Sequence, residues 1–256
     1  MPDAGSPARA ENFANFGNSP LLRYNLTINR VLLDYVILFS HAPPLVMSTI
    51  QPPTSDSEYA WEVATLFPEQ GYWSEEAYLE LTDGTNRLIE LADGRLEFLP
   101  MPTELHQALV GFLYHALLNF VTKRGLGIVP FPPLRVRVRE GKFREPDVLY
   151  LRKENFHLRT NRVWNGADLV MEVVSPDPKD RVRDYEAKFA DYAAAGIAEY
   201  WIVDAERSLV SVHRLDRKAY VGHGEFGRGS EATSVQLPGF GVDVSALFDV
   251  VSTLPE

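Results

Sequence analysis

Residues 168–174, which decide the fold, read Asp-Leu-Val-Met-Glu-Val-Val and are followed by Ser175-Pro176. A short apolar run that is rich in valine and closed by a turn signal is typical of a strand buried on both faces of a sheet. Glu172 interrupts this run, and a buried carboxylate without a partner is costly. The segment therefore predicts a central strand in which Glu172 has a specific partner or function.

A second strand-like run, residues 144–151, reads Arg-Glu-Pro-Asp-Val-Leu-Tyr-Leu and contains Asp147. Pro146 cannot donate a hydrogen bond to a neighbouring strand, so Asp147 is expected at an edge or at a strand end. If the two runs are adjacent in one sheet, Asp147 and Glu172 converge. Converging carboxylates repel each other unless a cation lies between them, and Mg²⁺ binds through one or two carboxylates with phosphate and water.

Structural pairing is the alternative that the pattern leaves open. Each acid can form an ion pair with a nearby arginine, and Arg135, Arg137 and Arg144 are available. The chain has no cysteine, which excludes disulfides and thiolate metal sites. It also fits a reducing compartment, and we expect a cytoplasmic protein.

Periodic patterns around these runs predict alternating helices and strands. We expect helices at 75–81, 103–124 and 181–195, a hairpin at 88–99 around Asp93-Gly94, strands at 127–131, 134–138 and 199–204, a hairpin at 209–221 and a glycine-rich loop at 222–229. This order predicts an α/β (α+β) fold in which a mixed β-sheet is flanked by helices.

The 256 residues are enough for one large domain with appendages. Residues 1–55 hold clusters of Pro, Ser, Asn and Ala with weak periodicity. We expect them to be a poorly ordered extension or a start-site artefact, with Met47 as the alternative start. Residues 56–256 are predicted to form a single domain with its core at about 73–215. No run is long and apolar enough for a membrane span.

The net charge of −10 argues against a generic nucleic-acid binder. The charge is unevenly distributed, because residues 135–188 hold 13 Lys and Arg against 10 Asp and Glu. The segment with the two candidate acids is therefore the least acidic part of the chain. Ordinary solvated charge is an equally good explanation of this excess.

Several short motifs occur in a characteristic order along the chain. They are Leu-Ile-Glu-Leu-Ala-Asp-Gly-Arg-Leu at 88–96, His-Gln at 106–107, Glu-Pro-Asp-Val at 145–148, Leu-Val-Met-Glu-Val-Val-Ser-Pro at 169–176, Lys188 through Tyr192, Gly196, and Glu-Tyr-Trp-Ile-Val-Asp at 199–204. This ordered set, over about 73–215, resembles the Uma-type family of "putative restriction endonucleases", a domain-of-unknown-function group within the PD-(D/E)XK nuclease superfamily. The resemblance implies a restriction-endonuclease-like core.

The resemblance also implies an active site. Asp147, Glu172 and the backbone carbonyl of Val173 would bind Mg²⁺, with Mn²⁺ as a substitute. The usual lysine two residues after the glutamate is replaced here by Val174. The resemblance moves the lysine to Lys188 on the following helix. The alternative is that Lys188 is an exposed charge that pairs with Asp184, four residues earlier.

Three further side chains are candidates for this site. His106 shares a helical stripe with Leu109 and Leu113, and the resemblance puts a histidine beside the active site, as a proton carrier or supporting donor. A satisfied core histidine is the alternative. Glu90 matches a recurrent glutamate before Asp-Gly and is otherwise a structural acid. Glu104 starts the long helix but is out of step with His106.

The predicted function is a metal-dependent endonuclease that hydrolyses DNA phosphodiester bonds. A homodimer is expected if both strands are cut, because that needs two sites. One alternative is a catalytically inactive nuclease-fold module for binding or assembly, since a fold does not establish activity. Another is a nuclease that acts on RNA or on structured DNA.

Overall fold

The computed structural model describes residues 67–175 and 177–250, without the side chain of Lys179. The predicted extension at 1–55 and the predicted start of the domain at 56–66 lie outside the described residues. Within this part of the chain, no helix combines the length and apolar character needed to cross a membrane.

The helices and strands follow one another in a mixed order. The helices are α1 (Glu75–Asp83), α2 (Glu104–Arg124), α3 (Pro178–Val182), α4 (Lys188–Ala194) and α5 (Val244–Phe248), with a 3₁₀ segment at Lys153–Leu158. The strands are β1 (Ile89–Ala92), β2 (Arg95–Phe98), β3 (Gly127–Ile128), β4 (Val136–Arg139), β5 (Lys142–Arg144), β6 (Val148–Arg152), β7 (Leu169–Val174), β8 (Glu199–Asp204), β9 (Leu209–Asp216), β10 (Ala219–Gly227), β11 (Glu231–Thr233) and β12 (Gly241–Asp243).

The main sheet has six strands in the order β10-β9-β8-β7-β6-β3. Strands β7 and β8 pair in parallel, and the other neighbours pair antiparallel. A smaller antiparallel sheet has the order β2-β1-β5-β4, and β11 pairs with β12. The predicted mixed sheet is confirmed, and β7, the run that decided the prediction, lies inside it.

Helices cover both faces of the main sheet. Successive side chains of β7 point to opposite faces, so each face of the strand packs against a different helix. Met171 packs in one buried cluster with Leu113 of α2. Val170 packs in the other with Tyr192 of α4. Glu172 has the parity of Val170 and therefore faces α4. All six residues of β7 are buried, so this carboxylate lies in the interior, in the C-terminal half of a central strand.

Local interactions define the ends of the first two helices, and the predicted first hairpin is confirmed. The Ser74 side chain accepts a hydrogen bond from the Ala77 N–H and caps α1, and Thr103 caps α2 by accepting one from the His106 N–H. Gly125 ends α2 with a φ of 60°. The Asp-Gly turn joins β1 to β2 as expected.

The strand predicted for residues 144–151 is wrong as one unit. Strand β5 ends at Arg144 in the small sheet, and β6 begins at Val148 in the main sheet. Pro146 lies between them and has no N–H for either ladder. The link 145–147 therefore carries Asp147 from one sheet to the other, just before the first residue of β6.

The other predicted bounds need smaller corrections. The strands expected at 127–131 and 134–138 are observed at β3, which has two residues, and at β4, which begins at Val136. The glycine-rich loop expected at 222–229 is wrong, because β10 continues to Gly227 with a bulge between Gly222 and Gly224. Strand β10 is an edge strand, where glycines and bulges are tolerated.

The helix predicted for 181–195 begins earlier and is interrupted. It starts at Pro178, since proline suits the first turn of a helix. A π-helical turn at Arg183–Ala187 joins α3 to α4, and there the Lys188 N–H donates to the carbonyl of Arg183, five residues back. A π turn adds one residue to a helical turn and changes which side chains share a face.

We expect Glu199→Gln to lower the free energy of unfolding by about 2 kcal/mol, since it weakens three charge-assisted hydrogen bonds. Glu199 is fully buried at the start of β8 and accepts hydrogen bonds from the Trp201 indole and from the N–H groups of Val235 and Gln236. Urea unfolding measures the change. The control is Glu80→Gln at an exposed site of α1; an equal loss in both variants contradicts the prediction.

Candidate active site

Asp147 and Glu172 meet at one end of the main sheet. Strands β6 and β7 are antiparallel neighbours with Val148 opposite Met171, so the two acids come one position beyond that pair. The Val173 N–H donates to Asp147 Oδ2 at 2.8 Å. The predicted adjacency of the two acid-bearing runs is therefore observed, with Asp147 at the strand end that Pro146 requires.

Lys188 reaches the same point from the first turn of α4. Its Nζ lies 2.8 Å from Glu172 Oε2, 3.2 Å from Asp184 Oδ1 and 4.0 Å from Glu90 Oε1. The Lys188 side chain is only 3% exposed. Its pair with Asp184 therefore exists but is buried, and the same ammonium also contacts Glu172. Burial opposes its charge, but the acids around it raise the pKa of Lys188 and keep the ammonium charged.

Tyr192 belongs to this group and was not predicted. Its hydroxyl donates to Glu172 Oε1 at 2.5 Å, while Lys188 holds the other carboxylate oxygen. Tyr192 lies four residues after Lys188, so both project from one face of α4. That spacing is the signal that could have identified it, although a tyrosine on an apolar stripe is usually a core residue.

His106 approaches Asp147 from the first turn of α2. Its Nε2 lies 3.3 Å from Asp147 Oδ2, and its buried Nδ1 has no hydrogen-bond partner among the described residues. Burial disfavours the imidazolium, but the contact with Asp147 and the charge of Glu172 outweigh it and raise the pKa of His106. The exposed Glu104 does not join the group, as its register indicated.

Glu90 lies behind Lys188, away from the solvent side of the site. It is fully buried, and it accepts hydrogen bonds from Arg144 Nη1 at 2.6 Å and from the Glu145 N–H at 2.9 Å. Arg144 also contacts Glu97 and Asp191, so it joins the small sheet to α4. These contacts favour a supporting role for Glu90, since its oxygens already hold strong donors.

The two central acids differ in their electrostatics. Burial raises the pKa of Glu172, and the charges of Asp147 and Asp184 raise it further, against the opposing effect of Lys188. Burial also acts on Asp147, but there His106, Lys188 and the Val173 N–H prevail and lower the pKa. Two neighbouring acids whose pKa values are pushed apart are typical of functional sites.

The donor set fits a hard divalent cation. Asp147 Oδ1 has no hydrogen bond among the described residues, and each Glu172 oxygen keeps a lone pair beside its one donor. Among residues 67–175 and 177–250, no group of three or more His, Asp or Glu side chains is arranged to hold a metal ion. Two carboxylates completed by water and phosphate are the coordination that Mg²⁺ uses.

Asp147, Glu172, Lys188 and His106 lie at the floor of a cleft of about 770 Å³. Besides Asp147 and Glu172, it is lined by the acids Glu145, Asp177, Asp180, Asp184 and Glu206. Arg183 and Lys188 are the basic residues that line it in the described part of the chain. The opposite wall is apolar. The arrangement can bind a cation beside an activated water and a polar substrate group.

Comparisons with known proteins identify the family and the fold of the chain. A family model, Uma2, with the description "Putative restriction endonuclease", matches residues 75–245. The chain is similar to the crystal structure of a "putative nuclease belonging to DUF820" from Anabaena variabilis, with 17% identity and a TM-score of 0.58 over 69% of this chain and 97% of that chain. This likeness confirms the predicted fold. No curated protein matches the chain.

Proposed function

Because this chain belongs to the Uma2 family, we propose that it is a metal-dependent endonuclease that hydrolyses phosphodiester bonds in DNA. The observation that carries the proposal is the convergence of Asp147, Glu172 and Lys188 at the floor of one cleft. The three come from the link before β6, from β7 and from α4. A buried lysine beside two acids of a β-sheet is a costly arrangement that a merely structural role does not require.

In this proposal Asp147 and Glu172 would hold Mg²⁺ together with the carbonyl of Val173. The ion would supply a water of lowered pKa and neutralise charge on the scissile phosphate. The Val173 N–H and His106 orient Asp147, and Tyr192 and Lys188 orient Glu172. The carboxylates are therefore held in position before substrate arrives, which is how preorganised sites lower a barrier.

Lys188 and His106 serve the proton and charge changes of hydrolysis. The water gives up one proton as its oxygen forms a bond to phosphorus, the bond to the leaving sugar oxygen breaks, and that oxygen takes up a proton. Lys188 stabilises the negative charge that develops on the phosphoryl oxygens. His106, with a raised pKa and contact to Asp147, is the candidate to carry a proton.

The test is cleavage of DNA by the purified protein. We expect nicking in Mg²⁺ or Mn²⁺, and none after chelation with EDTA. An Asp147→Asn preparation purified in parallel controls for contaminating nucleases. Equal cleavage by both preparations would assign the activity to a contaminant and end the proposal.

A second candidate is a nuclease-fold module that binds without cutting. The observation that favours it is the acidic lining of the cleft, which repels a phosphate backbone when no cation is bound. It predicts no cleavage in any cation and identical behaviour of wild type and Asp147→Asn. The same cleavage assay therefore separates the two candidates.

We expect Lys188→Met to lower the cleavage rate by about 10²-fold, the usual cost of losing one donor to a charged transition state. The change is isosteric but leaves Glu172 and Asp184 without their ammonium, so unfolding must be measured in parallel. The matched control is Lys142→Met, since Lys142 is also mostly buried and pairs with Asp191 at 2.8 Å, outside the cleft. An equal loss of rate in both variants contradicts a role for Lys188 in the reaction.

A further inference from the structure

One wall of the active-site cleft is apolar and open to solvent. Met101, Phe131 and Leu105 line it with exposed fractions of 89%, 75% and 41%. Tyr114 completes the wall, and its ring meets that of Phe131 edge to face with centroids 5.3 Å apart. Single exposed apolar residues are ordinary, but a contiguous group beside a polar site marks a binding surface.

This wall is continuous with the candidate catalytic group through α2. His106, in the first turn of α2, contacts Asp147, and Tyr114 follows eight residues later on the same helix. At 1.5 Å per residue, that separation is about 12 Å along the helix axis. The wall is therefore close enough to receive a nucleotide next to the phosphate that is cut.

The charge of the cleft is unsuited to an intact duplex. Duplex binding depends on Lys and Arg that neutralise phosphates. In the described part of the chain, the Lys and Arg residues of the cleft are Lys188 and Arg183, and both have acidic partners. Lys188 lies 2.8 Å from Glu172, and Arg183 lies 2.8 Å from Asp180. Lys188 is assigned to the scissile phosphate and Arg183 is paired with Asp180, so neither is left to clamp the flanking DNA backbone. Affinity for the flanking nucleotides has to come from another source.

Aromatic stacking is the source that the wall offers. In a duplex each base face is covered by its neighbours, whereas an unpaired base can stack on an aromatic side chain. We propose that the substrate is single-stranded or locally unpaired DNA, with a base next to the scissile phosphate stacked against Phe131 and Tyr114. This inference rests on the proposed nuclease function and specifies its substrate.

The test compares one fluorescein-labelled mixed-sequence oligonucleotide with the same strand annealed to its complement. Binding is measured by anisotropy in Ca²⁺ and cleavage in Mg²⁺. We expect at least tenfold preference for the single strand in both. We expect Phe131→Ala to weaken binding of the single strand about tenfold, as loss of one base–aromatic stack does. Because few phosphates are neutralised, affinity should depend only weakly on salt.

The matched control is Tyr72→Ala, since Tyr72 is 78% exposed and lies outside the cleft. It should leave binding and cleavage unchanged. Equal use of duplex and single strand, with no effect of Phe131→Ala, overturns the inference and leaves the nuclease proposal standing. If wild type cuts neither, the nuclease proposal fails, and a Phe131-dependent preference in the Ca²⁺ measurement still supports the stacking site.

Two other outcomes also decide the inference. Preferential cutting of an RNA strand of the same sequence overturns the assignment to DNA. Sedimentation of wild type and Phe131→Ala tests whether the wall instead binds a second copy of the chain. Self-association that Phe131→Ala abolishes, with unchanged binding of the single strand, assigns the wall to that second copy and overturns the inference.

Discussion

Replacing Asp147 by asparagine is expected to lower the rate of DNA cleavage on the order of 10³-fold, which corresponds to about 4 kcal/mol of barrier. Asparagine has nearly the same shape and keeps an oxygen that can accept the hydrogen bond from the Val173 N–H. It lacks the negative charge that a divalent cation needs, and metal stabilisation of a phosphoryl transition state is worth several kcal/mol. Supercoiled-plasmid nicking over a range of enzyme concentrations measures the effect.

The matched control for this prediction is Asp168→Asn. Asp168 is another aspartate at an edge of the main sheet, immediately before β7 and so at the opposite end of that strand, and its buried side chain pairs with Arg152 at 2.8 Å. We expect its loss to lower stability while folded protein keeps its cleavage rate. Two results would show that Asp147 is not a ligand of the reacting metal. One is that Asp147→Asn retains more than a tenth of the wild-type rate, and the other is that Asp168→Asn loses as much rate as Asp147→Asn.

Replacing Arg144 by methionine is expected to cost about 3–5 kcal/mol of the free energy of unfolding, the usual effect of leaving a buried charge without its partner. The guanidinium lies 2.6 Å from Glu90, 2.8 Å from Glu97 and 2.7 Å from Asp191. Glu90 is fully buried and would keep the Glu145 N–H and, as its cationic partner, the more distant Lys188. Such a loss is a large part of the stability of an ordinary domain.

The cost of Arg144→Met should depend on pH. Burial raises the pKa of Glu90, but Lys188 and Arg144 hold it below its ordinary value. Without Arg144 this pKa rises, so the variant loses less stability than wild type as pH falls, and the deficit shrinks toward about pH 4. Glu90→Gln in the same chain should restore part of the loss at neutral pH. The control is Arg228→Met, whose pair with Asp249 is equally short at 2.6 Å but exposed, and is expected to cost at most about 1 kcal/mol. Chemical unfolding of the four proteins from pH 4 to 8 measures these differences, and a pH-independent deficit contradicts this explanation.

The parts of the site that could be predicted from sequence are those that break a local pattern. Glu172 interrupts an apolar run and Asp147 follows a proline at the start of another. Both anomalies are visible without a structure, because strand patterns are strict about buried charge. Lys188 needed the family resemblance, since a lysine on an amphipathic helix is unremarkable by itself and Val174 occupies the usual position.

The remaining parts depend on contacts that no local pattern encodes. Arg144 joins β1, β2 and α4, and its partner Asp191 lies 47 residues further along the chain. Tyr192 is indistinguishable in sequence from a core aromatic. The break at the link 145–147 was missed because both halves have strand composition. Tertiary packing decides which sheet each half joins, and strand preference alone does not contain that information.

The π-helical turn before Lys188 makes the site sensitive to the number of residues in that turn as well as to their types. A π turn is what a single inserted residue leaves in a regular helix, and removing one residue from 183–187 would let the helix rewind with i→i+4 bonds. Because a helical turn has 3.6 residues, this rewinding rotates the side chains before the deletion by about 100° about the helix axis relative to those after it. Asp180 and Arg183, which line the cleft, could then no longer share it with Lys188. In related proteins that keep a lysine at the position of Lys188, we therefore expect the residue types in segment 183–187 to vary more than the length of that segment.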